Sequence, residues 1–125
     1  MTFEQEINKF AEKSAKQQDQ YIRSICFHLL KQIVDGTPVD TGRAKGNWQT
    51  SINNPSTMAT ENKDKDGART IAAGSADIAR ATGRIFYISN NLPYIRRLEF
   101  DGWSKKQAPH GWVRAAVNRV KASIR

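Results

Sequence analysis

The feature that most constrains this chain is the spacing of apolar side chains in its first 34 residues. Apolar residues recur three and four positions apart, which is the period of one helix face. They are Phe3, Ile7, Phe10, Ile22, Ile25, Cys26, Leu29 and Ile33. Thr2, with Gln5 three positions later, predicts a capping box at the start. Asp35-Gly36 followed by Pro38 predicts the end. The pattern therefore predicts one long N-terminal helix.

The apolar stripe thins in the middle of that helix. Between Phe10 and Tyr21 it is reduced to Ala11 and Ala15 among polar groups. We therefore expect Tyr21 to Val34 to belong to the core. The first half is expected to leave the body or to meet a neighbouring subunit.

Shorter elements are predicted downstream. Trp48, Thr50 and Ile52 alternate with polar residues, which is typical of a strand. Val113, Val117, Val120 and Ile124 recur at helical spacing. The predicted elements are a short turn at 43–46, a strand at 47–53, a helix at 69–81, a strand at 84–89, a helix at 94–100 and a C-terminal helix from 113, with a strand over 69–73 as an alternative. The sequence predicts an α+β fold in which the N-terminal and C-terminal helices pack on a small, mainly antiparallel sheet.

One segment contains almost nothing apolar. Residues 56–67 are mostly Ser, Thr, Asn, Lys and Asp. Such a composition cannot offset the entropy lost on ordering. We expect a mobile loop there. Asn90-Asn91 predicts a turn after the second strand through side-chain hydrogen bonds to the backbone.

Length and composition limit the architecture. A chain of 125 residues is expected to form a single domain over 1–125. Hydrophobic residues make up 38%, and the mean hydropathy of −0.66 leaves little apolar material for a core. Packing between subunits could supply further burial. The N-terminus lacks a leader pattern, and no apolar run is long enough to cross a bilayer, so we expect no membrane association and synthesis in the cytoplasm.

Catalytic chemistry has weak candidates in this sequence. His28 is more simply a packed or interfacial residue than a base, and Cys26 a small core residue. No nucleophile motif, phosphate-binding glycine loop or paired metal-ligand spacing is found in the sequence. Asp40, Asp77 and His110 are a remote possibility for a metal-dependent nuclease site. The sequence predicts no catalytic, cofactor or metal site.

Positive charge is concentrated in the last third of the chain. The formal net charge is +8, and residues 84–125 hold nine Lys or Arg against two acids. Such asymmetry indicates an anionic partner, DNA or an acidic protein surface, although a solvated face is an equal alternative. The candidate interface or DNA-channel residues are Arg96, Arg97, Trp103, Lys105, Lys106, Trp112, Arg114, Arg119 and Lys121. The two tryptophans could stack bases, or anchor a loop or a protein interface.

Two blocks of the sequence carry a family resemblance. The first is Thr37-Pro38-Val39-Asp40-Thr41-Gly42-Arg43 with Gly46-Asn47-Trp48, and the second runs from Arg84 through Asn90-Asn91-Leu92-Pro93-Tyr94 and Leu98-Glu99-Phe100 to Pro109-His110-Gly111-Trp112-Val113-Arg114. Together they resemble the small neck and tail-completion proteins of long-tailed double-stranded-DNA bacteriophages, including those similar to minor tail protein Z.

The resemblance implies a structural virion protein that is not an enzyme and needs no cofactor. It implies a homo-oligomeric ring, expected to be a hexamer, in the neck between the head connector and the tail tube. Partners would be the connector proteins, the tail tube or tail terminator, and genomic DNA passing without sequence recognition. Tail completion, tail terminator and connector adaptor remain open as roles. A small basic DNA-binding protein is the alternative function.

Overall fold

The computed structural model describes residues 2–104, 107, 108 and 110–124. Helix α1 runs from Phe3–Gly36 and confirms the predicted long helix. Its capping box is present: the Gln5 N–H donates to Thr2 Oγ1 at 3.2 Å, and the Thr2 N–H donates to Gln5 Oε1 at 3.0 Å. At the other end, the Thr37 N–H bonds Val34 O.

Six further elements follow in chain order. They are helix α2 (Arg43–Gly46), strand β1 (Gln49–Ile52), helix α3 (Ala68–Arg80), strand β2 (Phe86–Ser89), helix α4 (Ile95–Phe100) and helix α5 (Val113–Ser123). The predicted α+β fold is confirmed. The strand alternative for 69–73 is wrong, because those residues lie inside α3.

The two strands form one small antiparallel sheet. Gln49 pairs with Ser89, and Ile52 pairs with Phe86. Helix α3 packs on α1 and on β1, and α5 packs on α1. The predicted turn after β2 is present, because the Leu92 N–H donates to Asn90 Oδ1 at 3.2 Å.

The core forms around the C-terminal third of α1. Leu30 and Val34 are fully buried and pack with Ile78 of α3. Around them lie partly buried side chains from α1, the sheet and α3: Cys26, Phe27, Trp48, Ile71, Phe86 and Ile88. Gly74 allows this close packing, because a Cβ there would lie 2.3 Å from Leu30 Cδ2. The C-terminal third of α1 therefore positions the sheet, α3 and α5.

The part of α1 that packs in the core is shorter than the predicted range of Tyr21 to Val34. Tyr21 and Ile22 are both more than half exposed, and the side chains that reach the core begin at Cys26. The periodic spacing is present, but α3 and α5 cover only the last turns of the helix. Residues 2–13 are exposed without exception.

The polar segment before α3 has no helix or strand between Asn53 and Gly67. It is nevertheless anchored by polar side chains. The Thr60 N–H donates to Oδ1 of fully buried Asn47 at 2.7 Å, and Asn47 Nδ2 donates back to Thr60 O at 3.0 Å. Asp64 is also buried. Polar side chains therefore tie this segment to the rest of the domain, although it lacks apolar ones. Its mobility stays a prediction.

Truncation of α1 side chains should separate the core part of the helix from its exposed part. Leu30→Ala leaves a cavity in the core and should lower the free energy of unfolding by about 2–5 kcal/mol. Phe10→Ala, at a position 73% exposed, should change it by less than about 0.5 kcal/mol. Urea unfolding of dilute protein measures both values. A large loss for Phe10→Ala would mean that the first half of α1 belongs to the core.

Candidate interaction surfaces

Glu99 organises the basic C-terminal region. Its side chain is only 5% exposed and caps the start of α5 from the neighbouring helix α4. Oε1 accepts from the backbone N–H groups of Trp112 at 2.6 Å and Val113 at 2.8 Å, and Oε2 accepts from the N–H of Arg114 at 2.9 Å. A carboxylate at this end also faces the positive pole of the helix dipole.

Hydrogen bonding determines the charge state of Glu99. Burial alone would raise the pKa of this carboxyl, but the backbone N–H groups of α5 and the Arg114 guanidinium outweigh it and hold the pKa below its ordinary value. Arg114 Nε donates to Oε2 at 2.8 Å. Gly111 makes room, since a Cβ at this residue (φ 80°) would lie 2.4 Å from Glu99 O.

Trp112 is a core residue, which corrects its prediction as an interface or DNA-channel residue. Its side chain is 6% exposed, and the indole Nε1–H donates to Ile33 O at 3.0 Å. The bond ties the start of α5 to α1. The sequence placed Trp112 near a basic pair and a turn, but the turn directs the indole inward.

Four of the predicted residues, Arg96, Arg97, Trp103 and Arg114, do come together, and Phe100 joins them. The Arg96 and Arg114 guanidiniums lie over the Phe100 ring at 5.5 and 4.5 Å, and that of Arg97 lies 4.7 Å from the Trp103 ring centre. Both aromatic rings are about half exposed. We call these five residues the arginine–aromatic surface. Cation–π attraction keeps each guanidinium beside its aromatic ring.

The remaining predicted basic residues lie elsewhere or outside the described residues. Arg119 donates from Nε to Gln32 Oε1 at 2.9 Å, which turns it toward α1. Lys121 is exposed near the end of α5. Lys105 and Lys106 lie outside the described residues, so the predicted continuation of the basic surface through them stays a prediction.

A groove of about 690 Å³ lies beside the arginine–aromatic surface. One wall is the segment after α1, from Pro38 to Ala44, and the other is formed by Tyr94, Leu98 and Trp103. Gln107 links the walls: its Nε2 donates to Val39 O at 2.9 Å, and its Oε1 accepts from the Val39 N–H at 2.7 Å. Apolar side chains line parts of both walls, and Asp40, Arg43, Glu61 and Lys63 add charges of both signs. Arg43 and Glu61 form an ion pair at 3.1 Å.

A second surface runs along the first half of α1. Phe3 is 75% exposed, Phe10 is 73% exposed, and Ile7 between them is about half exposed. At about 3.6 residues per turn, these three side chains share one face, with Tyr21 further along it. Leu30 points to the opposite side by the same geometry. We call Phe3, Ile7 and Phe10 the apolar stripe. It faces away from the side of α1 that packs against the body.

Groups with catalytic potential are dispersed. Within the described residues, no group of three His, Cys, Asp or Glu side chains could hold a metal ion, so Asp40, Asp77 and His110 do not converge. Asp77 instead accepts from Thr50 and pairs with Arg80. Partial burial raises the pKa of the Cys26 thiol, which packs against the core. His28 is exposed with its ring edge-on to Phe27.

Two findings complete the description of the surface. None of the described helices is both long enough and apolar enough to cross a bilayer. Comparison of the chain with protein-family models, with curated proteins and with solved structures finds no match. The interaction surfaces must therefore be interpreted from their own chemistry and from the sequence resemblance.

Sequence reasoning missed Glu99 and Phe100 as organising residues. In the sequence, Glu99 is one of two acids in a basic region. The available signal was an acid within a basic region, together with Gly111 just before a helix start that lacks a capping side chain of its own. A helix start of this kind needs an acceptor from another element.

Replacing Glu99 should weaken the domain in a pH-dependent way. Because its pKa is lowered by folding, Glu99 contributes stability above its unfolded pKa of about 4.3 and loses it as pH falls through the lower folded value. Glu99→Gln should cost about 1.5–3 kcal/mol at pH 7. The difference from wild type should shrink below about pH 4. Exposed Asp101→Asn is the control, with little expected change. A pH-independent difference in urea unfolding would contradict this role of the charge.

Proposed function

We propose that this protein is a structural component of the neck of a long-tailed double-stranded-DNA bacteriophage. Copies form a ring, expected to be a hexamer, that joins the head connector to the tail tube around the DNA channel. Its role is adhesive and not catalytic, and it needs no cofactor. It acts in the virion after assembly in the host cytoplasm. Tail completion, tail terminator and connector adaptor are the roles compatible with this position.

The arrangement of the two resembling blocks supports the proposal. Asn90 Nδ2, from the second block, donates to Ala44 O in the first at 2.9 Å. Gln107 bonds both backbone groups of Val39. The two blocks therefore form the walls of one groove, so the resemblance covers a continuous surface and not two unrelated turns.

The observation that carries the proposal is the exposed apolar stripe on α1. Monomeric proteins rarely expose several large apolar side chains together on one face. Phe3, Ile7 and Phe10 do so on a helix whose opposite face already packs the core. Such a surface is suited to a protein partner, and its burial would compensate for the low apolar content of the chain.

Removal of the protein from the phage should separate heads from tails. A phage with a nonsense mutation in this gene should produce filled heads and free tails, because the ring that joins them is absent. Electron microscopy of the lysate measures the proportions, and supply of the wild-type gene in trans is the control. Normal joined virions without the protein would contradict the proposal. Necks containing a single copy would contradict the ring.

The arginine–aromatic surface favours a second candidate function, that of a small basic DNA-binding protein. Arg96, Arg97 and Arg114 present three guanidiniums beside exposed rings. Arginines are suited to phosphate contacts, and the rings to stacking. Arg114 is partly neutralised by Glu99, and the surface offers no Asn or Gln set for reading bases. Any DNA affinity should be directed to the backbone.

DNA binding should be weak, independent of sequence and sensitive to salt. Replacing Arg96 and Arg97 together by Glu should abolish binding to a duplex at low ionic strength, because two phosphate contacts become repulsive. Arg119→Glu combined with Lys121→Glu, outside the surface, is the matched charge control. Replacing Lys105 and Lys106 together by Glu should also lower infectious yield through faulty joining. Fluorescence anisotropy with competitor DNA measures affinity. Sequence preference that survives physiological salt would favour the second candidate.

A further inference from the structure

We propose that Glu99 limits how strongly the arginine–aromatic surface holds DNA. Its carboxylate neutralises Arg114, which leaves Arg96 and Arg97 as the main contacts for a phosphate backbone. The surface then attracts DNA without gripping it. This inference rests on the proposed contact between the surface and DNA, and it assigns the residue that sets the strength of that contact.

Arg114 reaches the surface already paired. Its Nε donates to Glu99 Oε2 at 2.8 Å, and its Nη2 donates to the backbone oxygen of Glu99 at 3.1 Å. The guanidinium lies 4.5 Å from the centre of the Phe100 ring, and 56% of the Arg114 side chain is exposed. A phosphate can therefore approach this guanidinium, but it must compete with a carboxylate for the charge.

Burial of Glu99 makes that competition unfavourable for the phosphate. Oε1 is held by the N–H groups of Trp112 and Val113, so the carboxylate cannot turn to follow a departing guanidinium. A buried acid that loses its charged partner is strongly destabilised. Withdrawal of Arg114 toward DNA would impose that cost, and the pair with Glu99 is therefore the stable arrangement.

Arg96 and Arg97 differ from Arg114 in this respect. Their guanidiniums lie 5.5 Å from the Phe100 ring centre and 4.7 Å from the Trp103 ring centre. In the part of the chain that the structure describes, neither arginine forms an ion pair with an acid. Contact with a ring leaves guanidinium N–H groups available to a phosphate. The surface thus offers about two phosphate contacts instead of three.

The number of phosphate contacts determines both the affinity for DNA and its salt dependence. Each contact adds about 0.9 to the slope of log affinity against log salt concentration, so a third contact would strengthen binding about tenfold at low salt. A protein that surrounds a DNA channel must let the duplex pass. Neutralisation of one arginine by a buried acid keeps a basic surface weak enough for that passage.

Glu99→Gln tests this role, because the amide keeps a hydrogen-bond acceptor for α5 but removes the charge that neutralises Arg114. Fluorescence anisotropy of a short labelled duplex, titrated with the full-length protein between about 50 and 200 mM salt, measures affinity and slope. Glu99→Gln should bind on the order of tenfold tighter than wild type at about 50 mM salt, with a slope steeper by about 0.9. Circular dichroism under the same conditions checks that the variant is folded.

Asp101→Asn is the matched control. It removes the same charge from an exposed residue that lines a small cavity together with Arg96 and Arg97. Screening by solvent should limit its effect on affinity to about twofold. Arg114→Gln completes a double-mutant cycle. In that background, Glu99→Gln should add no more affinity than Asp101→Asn does, because no guanidinium remains to be released.

The outcomes separate the role of Glu99 from the DNA contact itself. Equal gains for Glu99→Gln and Asp101→Asn, or a full gain that persists with Arg114→Gln, would overturn the inference, because net charge alone would then explain them. If Glu99→Gln does not fold, single variants decide: Arg114→Gln should weaken binding less than Arg97→Gln, and an equal or larger loss would contradict the inference.

Binding by wild type without a gain in Glu99→Gln would reject the role of Glu99 and leave the DNA contact standing. Absence of binding by wild type and by every variant would reject the DNA contact and this inference together. The neck proposal is tested separately by the phage that lacks the gene.

Discussion

The rest of the structure depends on the burial of the last three turns of α1. Leu30 and Val34 pack with Ile78, and strand β2 packs around them through Phe86 and Ile88. The Trp112 indole N–H donates to Ile33 O and so holds α5 on α1. Because these contacts use only the C-terminal turns of a 34-residue helix, its other end extends beyond them. The exposed apolar stripe is therefore a consequence of the same helix that organises the core, and it gives the domain a surface that packing within the chain cannot cover.

Glu99 has a corresponding role in the C-terminal part of the chain. Its carboxylate joins α4 to the first turn of α5, and Arg114, which it binds, lies over Phe100. The basic surface is thus held by a buried acid. Fixed guanidiniums lose less conformational entropy on binding than free side chains do. The same arrangement fixes Leu98, one residue earlier, as part of the groove wall.

Periodic and capping signals were sufficient to predict most elements of this fold. The capping box at Thr2 and the strand at Phe86–Ser89 are determined by adjacent residues, so the sequence reveals them. The core boundary on α1, the inward indole of Trp112 and the anchoring of the 56–67 segment by Asn47 depend on contacts between distant residues. Local patterns do not contain that information. For the candidate site, charge located the arginines, but their pairing with Phe100 and the groove beside them required the tertiary structure.

Amide hydrogen exchange along α1 as a function of protein concentration tests the central claim most directly. A helix with few packed neighbours opens readily, whereas one covered by a partner does not. The account predicts fast exchange over residues 3–20 in dilute protein, slow exchange there in concentrated or assembled protein, and slow exchange around Leu30 and Val34 in both. Equal protection of residues 3–20 at all concentrations would contradict it, because the first half of α1 would then need no partner.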